Sequence, residues 1–318
     1  MLIVQKFGGS SLAGAERLRR AASIIADSAD AGNKVVAVVS ARGDMTDELL
    51  GQARRISADP PVRELDALLS CGETGSAAMT AMQLADIGKR CVSLTGAQAG
   101  ILTDGVHGAA RILSIDTARI MRELDAGKIV IAAGFQGAER GGDTTTLGRG
   151  GSDTTAVELA AALKADRCEI YSDVDGIYTA DPRLVTGAVR LDSIDYGDML
   201  HLALHGSQVL HSRSVEAAMR ANVRVHLLSS FTRHEGTVMC KLDDRSGLCG
   251  VTRDPSLGTV SIIGREADAH VLAEAVAALA HSDIIVGATE LFDGGCSLFV
   301  SPDRLLPALE ITHRRFFR

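Results

Sequence analysis

The sequence has no tryptophan, and only 3% of its 318 residues are aromatic, so its core must be aliphatic and rich in alanine. Lysine is scarce too. Of 33 basic residues six are lysines: Lys6, Lys34, Lys89, Lys128, Lys164 and Lys241. With arginine so dominant, a lysine inside a motif carries information. No apolar run approaches the roughly 18 residues needed to cross a bilayer. The opening MLIVQKFGGSS lacks the length and polarity pattern of a signal peptide. The cysteines (Cys71, Cys91, Cys168, Cys240, Cys249, Cys296) show no C-x-x-C pair and no nearby histidine spacing. That pattern points to reduced thiols in a cytoplasmic protein, not to a metal or disulfide framework. A net charge of −7 argues against a nucleic-acid or anionic-membrane surface. An acidic ligand must therefore be drawn in by local cations and backbone amides.

What is present, 46% apolar and 23% charged residues, is the balance of a globular protein with a sizeable core. LIVQK (2–6) reads as a buried strand broken by Gly8 and Gly9, with Ser10 and Ser11 as cap candidates for a helix over about 14–30. KVVAVVSA (34–41) is a second strand, apolar on both faces, so a βαβ unit with a right-handed crossover opens the chain. Helices are expected over about 45–56, 62–69 and 73–87. Strands follow at 90–96, 128–135 and 168–174, with helices between them. Helices at 195–204 and 213–221 precede a strand at 223–230. The polar stretch Gly236 to Gly250 reads as a boundary. Beyond it, segments at 257–264, 268–281, 283–291 and 296–301 and a last helix form a small β-α-β-β-α module. The expected fold class is α/β, with a mainly parallel open sheet and an appended α+β module.

Two glycine loops follow strands and precede helices: KFGGSS (6–11) and GRGGSD (148–153). Glycine lets the backbone approach a ligand closely, and a helix N-terminus presents free N–H groups and partial positive charge. In the second loop Thr155 and Glu158 form a capping-box pattern. Arg149, flanked by glycines, suits bidentate capture of a carboxylate, and Asp153 suits an ammonium. Lys6 is either a lysine snorkelling at a strand end or a point charge for phosphoryl oxygens. Neither a Walker-A pattern nor a G-x-G-x-x-G opens a helix here. In YSDVDGIYTADPR (171–183), Asp173, Asp175 and Asp181 suit Mg²⁺ held through water, or are a solvated turn.

Taken in order, KFGGSS, VVSARGDMTDELL (38–50), GET (72–74), LTGAQAG (94–100), GFQG (134–137), TTLGRGGSDTTAV (145–157) and YSDVDGIYTADPR resemble the aspartate kinases of the amino-acid-kinase superfamily. The resemblance covers about residues 1–235. It implies a three-layer α/β/α sandwich and ATP-dependent phosphorylation of the aspartate side-chain carboxylate, with ATP and Mg²⁺ and no metal held by a protein ligand set. It implies that Lys6 with the Gly8 and Gly9 amides stabilises the migrating phosphoryl group and contacts the nucleotide. Ser40, Thr46, Glu73, Arg149, Ser152 and Asp153 would hold the amino acid. Ser172, Asp173, Tyr178 and Arg183 would form the nucleotide side, with Gln208 where the family usually has lysine. The domains implied are catalytic, residues 1–236, and an ACT-like module at 250–318 with room for one of the family's two ACT units. Lysine or threonine feedback is then expected to be weakened or absent, and the module to serve mainly in a homodimer. The alternatives are a kinase for a related acidic substrate and a non-catalytic ligand-binding subunit.

Overall fold

Leu2–Phe7 forms a strand in the middle of a parallel sheet. The protein is seen here in a computed structural model that describes residues 1–232, 234–244 and 246–317. Its contacts divide it into two compact units, residues 1–175 with 220–234 and residues 176–219 with 235–318. In the first unit the strands lie in the order Val225–Ser229, Arg167–Ser172, Leu2–Phe7, Lys34–Val39, Ile129–Ala133, Cys91–Leu94. Each neighbouring pair is parallel. Helices cover both faces, and the central strands Lys34–Val39 and Ile129–Ala133 are accordingly apolar on both, with Val36 to Val39 and Val130 to Ala133 fully buried. Gly14–Asp30 and Val62–Asp86 pack with Phe7, Val35, Ala37, Val39, Ile129 and Ile131 in one cluster. Gly151–Leu163 runs along the opposite face, against Leu2–Phe7 and Arg167–Ser172. The unit is the expected α/β/α sandwich.

The helices at 14–30 and 45–56 form with the expected bounds. The two expected at 62–69 and 73–87 are one helix, Val62–Asp86. Gly72 does not break it. A Cβ there would sit 2.8 Å from the Ala41 Cβ, so the glycine admits a neighbouring segment instead of ending the helix. The expected caps also differ. Ser10 and Ser11 lie within the short helix Gly9–Leu12, and the Ser11 hydroxyl accepts from Ser230. The helix after the second glycine loop starts at Gly151 with Gly150, in left-handed conformation, as its N-cap. Thr155 is therefore inside the helix, donating to the Gly151 carbonyl and accepting from the Phe135 N–H, and is no capping-box residue.

A second, four-stranded sheet in the same unit was not expected from the sequence: Ile112–Ile115, Ile101–Thr103, Gln136–Ala138, Thr144–Thr146. In the other unit, Leu248–Asp254, Thr259–Gly264, Gly295–Phe299 and Ala288–Phe292 form an antiparallel sheet in that order. Helices Ala269–Ala280 and Leu305–Phe316 close its core around Val260, Ile262, Leu279, Leu298 and Leu309. The strand Leu248–Asp254 lies partly in the stretch read as a boundary. It adds a strand ahead of the expected β-α-β-β-α module and takes the sheet position that the last strand of a β-α-β-β-α-β fold occupies. This β-rich part is ACT-like.

Candidate active site

Alternation along Leu2–Phe7 decides where its polar residues point. Gln5 and Phe7 face the helix Gly14–Asp30, where Gln5 Nε2 donates to Ser28. Lys6 therefore faces the opposite side, where Gly151–Leu163 begins. Its Nζ lies 2.6 Å from Asp153 Oδ1, and the two side chains are only 11% and 14% exposed. Asp153 Oδ1 has no aligned hydrogen-bond donor, so the contact is an ion pair and not a hydrogen bond. The carboxyl ends of neighbouring strands meet at the same place, where ligands bind in open α/β sheets. The result is a cavity of about 590 Å³ entirely within the first unit.

Of the residues singled out in the sequence, the structure brings Lys6, Gly9, Ser40, Thr46, Glu73, Arg149, Ser152 and Asp153 to the wall of this cavity. Gly8 is beside it: its N–H donates to the Tyr171 carbonyl at 3.3 Å. Gly9 begins a helical turn pressed against the 41–43 loop, where a Cβ would meet the Ala41 carbonyl oxygen at 2.6 Å. Arg149 is exposed between Gly148 (φ 74°) and Gly150 (φ 67°), two left-handed residues that lift the guanidinium clear of shielding neighbours. Glu73 sits mid-helix and buried. Its Oε1 accepts from the Ala41 N–H at 3.0 Å, while Oε2 is buried with no partner. Burial pushes its carboxyl up to about 7, against the downward pull of the Ala41 N–H.

The cavity also has lining that the sequence reading did not anticipate. Leu50, Val62, Leu65 and Leu69 make an apolar wall, and Asp66, Gly108, Phe135 and Thr146 contribute as well. Val62, Leu65 and Leu69 stand at i, i+3 and i+7, so their shared helix face was open to reading. Asp66 gave no local signal.

The other expected residues lie outside the cavity lining. Ser172 ends the strand Arg167–Ser172, and its hydroxyl donates to Asp173. Asp175 pairs with His234 at 2.7 Å. In the second unit, Tyr178 bridges to Arg190, and Arg183 holds Asp181 through two nitrogens. Gln208 is exposed between the helices Tyr196–Leu204 and Ser212–Ala221. Among the described residues no three His, Cys, Asp or Glu groups are placed to hold a metal ion. No helix among them is long and apolar enough to cross a membrane.

Comparison with known proteins places this geometry. The profile of the amino acid kinase family matches residues 1–229. The aspartokinase of Mycolicibacterium smegmatis is 48% identical over 290 residues, covering 89% of this chain and 69% of that protein. Among solved structures, aspartate kinase from Synechocystis superposes with a TM-score of 0.70 at 36% identity. That match covers 99% of this chain and 55% of the Synechocystis chain, so the chain spans little more than half of it. E. coli aspartokinase III in complex with aspartate and ADP (R-state) gives a TM-score of 0.72 at 26% identity, covering 95% of this chain and 79% of that one. The chain belongs to the amino acid kinase family and, within it, to the aspartokinases.

Proposed function

We propose that the protein transfers the γ-phosphoryl group of ATP to the side-chain carboxylate of L-aspartate, giving 4-phospho-L-aspartate. One observation carries the reading: Lys6, Arg149, Asp153 and a buried Glu73 with an unpaired oxygen converge on a single cavity. The aspartokinase relatives, one of them solved with aspartate and ADP, support the substrates. A carboxylate at neutral pH is already an ionised nucleophile, so the site needs no general base. It needs in-line positioning and positive charge where the transferring phosphoryl group develops negative charge. Lys6 supplies that charge beside the glycine turn. Arg149 takes the α-carboxylate of aspartate in a two-point contact. Glu73 Oε2 and Asp153 take its ammonium, and Ser40, Thr46 and Ser152 complete the contacts around it. Asp173, an exposed carboxylate at a strand end, fits Mg²⁺ held through water, since this ion binds through one or two carboxylates and the nucleotide's own phosphates. Bound there, the metal would neutralise phosphate charge. Ser172 lies with Asp173 on the nucleotide side, and Tyr178, Arg183 and Gln208 are assigned to nucleotide binding by family resemblance. Residues 1–236 are taken as the catalytic domain and 250–318 as an ACT-like module serving a cytoplasmic homodimer.

The test is direct. With ATP, Mg²⁺, L-aspartate and hydroxylamine, the purified protein should yield aspartyl hydroxamate and an equal amount of ADP. ADP without hydroxamate, or neither product, would overturn the assignment.

The raised carboxyl of Glu73 sets a pH dependence. In the empty site it is protonated below about 7. The native state then binds a proton that the unfolded chain loses at its ordinary carboxylate pKa. This group therefore favours the folded, empty protein at acidic pH, and the benefit is lost as pH rises through 7. Aspartate binding needs the ionised form, so KM for aspartate should climb about tenfold per pH unit below 7 and level off above it. Calorimetry at pH 6 in buffers of different ionisation enthalpy should show a proton released on binding. Glu73→Gln should abolish both effects, and a flat KM profile in the parent protein would refute the role given to Glu73.

Gly9 offers a second check. Because a Cβ there would strike backbone oxygen and not a movable side chain, Gly9→Ala must shift the turn that carries the phosphoryl contacts. The expected loss in kcat is on the order of 10²-fold, with circular dichroism unchanged. Parent-like kcat in that variant would exclude the turn from the reaction.

A further inference from the structure

Asp66 is 1% exposed, lies on the cavity and has no part in the mechanism above. It stands in the second turn of the helix Val62–Asp86, and its two oxygens receive donors from two separate segments. Gly108 N–H approaches both oxygens, at 3.1 Å from Oδ1 and 3.0 Å from Oδ2. His107 Nδ1 is 2.8 Å from Oδ2, and the Thr146 hydroxyl donates to Oδ1. The Gly108 N–H faces both oxygens, so an N–H put in place of either oxygen would meet a donor. The segments it joins are themselves zipped, with Ala110 N–H donating to the Thr146 carbonyl at 2.9 Å.

From Thr146 it is a short step to the substrate. Only Leu147 and Gly148 separate it from Arg149. Leu147 is fully buried and its N–H donates to the Phe135 carbonyl at 2.8 Å. Whatever fixes Thr146 therefore fixes where the glycine-flanked loop departs from its strand. We infer that Asp66 is a positioning residue for substrate capture: by holding His107, Gly108 and Thr146 together it sets the place from which Arg149 meets the amino acid. This rests on Arg149 binding the α-carboxylate as proposed above. It explains why a buried carboxylate is kept in a cavity that must admit an anion: its oxygens are already engaged by Gly108, His107 and Thr146.

Asp66→Asn preserves shape while turning one acceptor into a donor. It should raise KM for aspartate on the order of tenfold or more, with KM for ATP within about twofold of the parent. Thr146→Val, which removes one donor, should move KM in the same direction, and Thr146→Ser, which restores the hydroxyl, should return it. A merely structural role would instead lower the active fraction, reducing apparent kcat with both KM values unchanged. Hydrogen exchange in the substrate-free protein gives a readout independent of activity. In Asp66→Asn the amides of Gly108 and of residues 144–149 should exchange faster, while those of Leu2–Phe7 should not. If the parent makes no aspartyl hydroxamate, the catalytic reading fails and the exchange result still decides whether Asp66 is the anchor. Parent-like exchange, or a parent-like KM for aspartate in an active Asp66→Asn enzyme, would overturn the inference.

Discussion

Replacing Lys6 by methionine should lower kcat about 10³-fold, the loss typical when a group that stabilises charge in the transition state is removed from a preorganised site. Methionine keeps the length of the stem, so the cavity wall survives and the missing element is the charge. KM for aspartate should change far less, because Arg149 and Glu73 remain. The ion pair with Asp153 adds a complication. In Lys6→Met, Asp153 becomes a carboxylate held in a little-exposed site without its cation, so the variant should also melt below the parent. Lys6→Met with Asp153→Asn should recover the melting temperature and none of the activity. That pattern separates the chemical role of Lys6 from its packing role. Lys6→Arg is not a conservative control, since a planar fork replaces a compact point charge about 3.5 Å from the Cβ position of Gly8. Parent-like kcat in Lys6→Met would remove Lys6 from the phosphoryl path altogether.

The contrast between what could and could not be read in the sequence follows from distance along the chain. LIVQK opens on three apolar residues and KVVAVV carries five in a row after Lys34, as strands covered on both faces require, and both are strands in the parallel sheet. The helix Gly14–Asp30 was legible from its apolar stripe and its Gly32-Asn33 stop. Three-residue strands such as Ile101–Thr103 and Thr144–Thr146 are too short to carry a period, so their sheet was invisible. The continuity of Val62–Asp86 was missed, and the place of Gly72 within it follows from a contact with Ala41, thirty-one positions earlier. The capping box at Thr155 failed for a similar reason: the Phe135 N–H claims its hydroxyl, and the left-handed Gly150 starts the helix sooner.

The candidate site divides along the same line. Lys6, Gly9, Arg149 and Asp153 lie in glycine loops whose chemistry is local, and they meet where strand ends and helix starts coincide. Glu73 could be placed by motif resemblance, but not its unpaired oxygen, which depends on burial against the 41–43 loop. Asp66 was passed over because its partners lie 41 and 80 positions away, and nothing in RELDALL distinguishes it from an exposed helix acid.

Arg149→Ala should raise KM for aspartate on the order of 10²-fold, equivalent to ~2.7 kcal/mol of lost binding, while kcat falls much less. Two left-handed glycines leave the guanidinium exposed and without a described ion-pair partner, so its binding capacity is not already spent inside the protein. A two-point contact with a carboxylate uses the planar fork, so Arg149→Lys should recover charge but not geometry and fall between parent and alanine variant. The decisive arm changes the ligand and not the protein. β-Alanine is aspartate without its α-carboxylate. If Arg149 holds that group, parent and Arg149→Ala should bind β-alanine with nearly equal weakness, so the penalty for losing the arginine disappears when the carboxylate does. A penalty of the same size with β-alanine would mean that the guanidinium acts elsewhere in the cavity. An effect confined to KM for ATP would move Arg149 to the nucleotide. Only the substrate-dependent pattern fits the proposal that Arg149 meets the α-carboxylate.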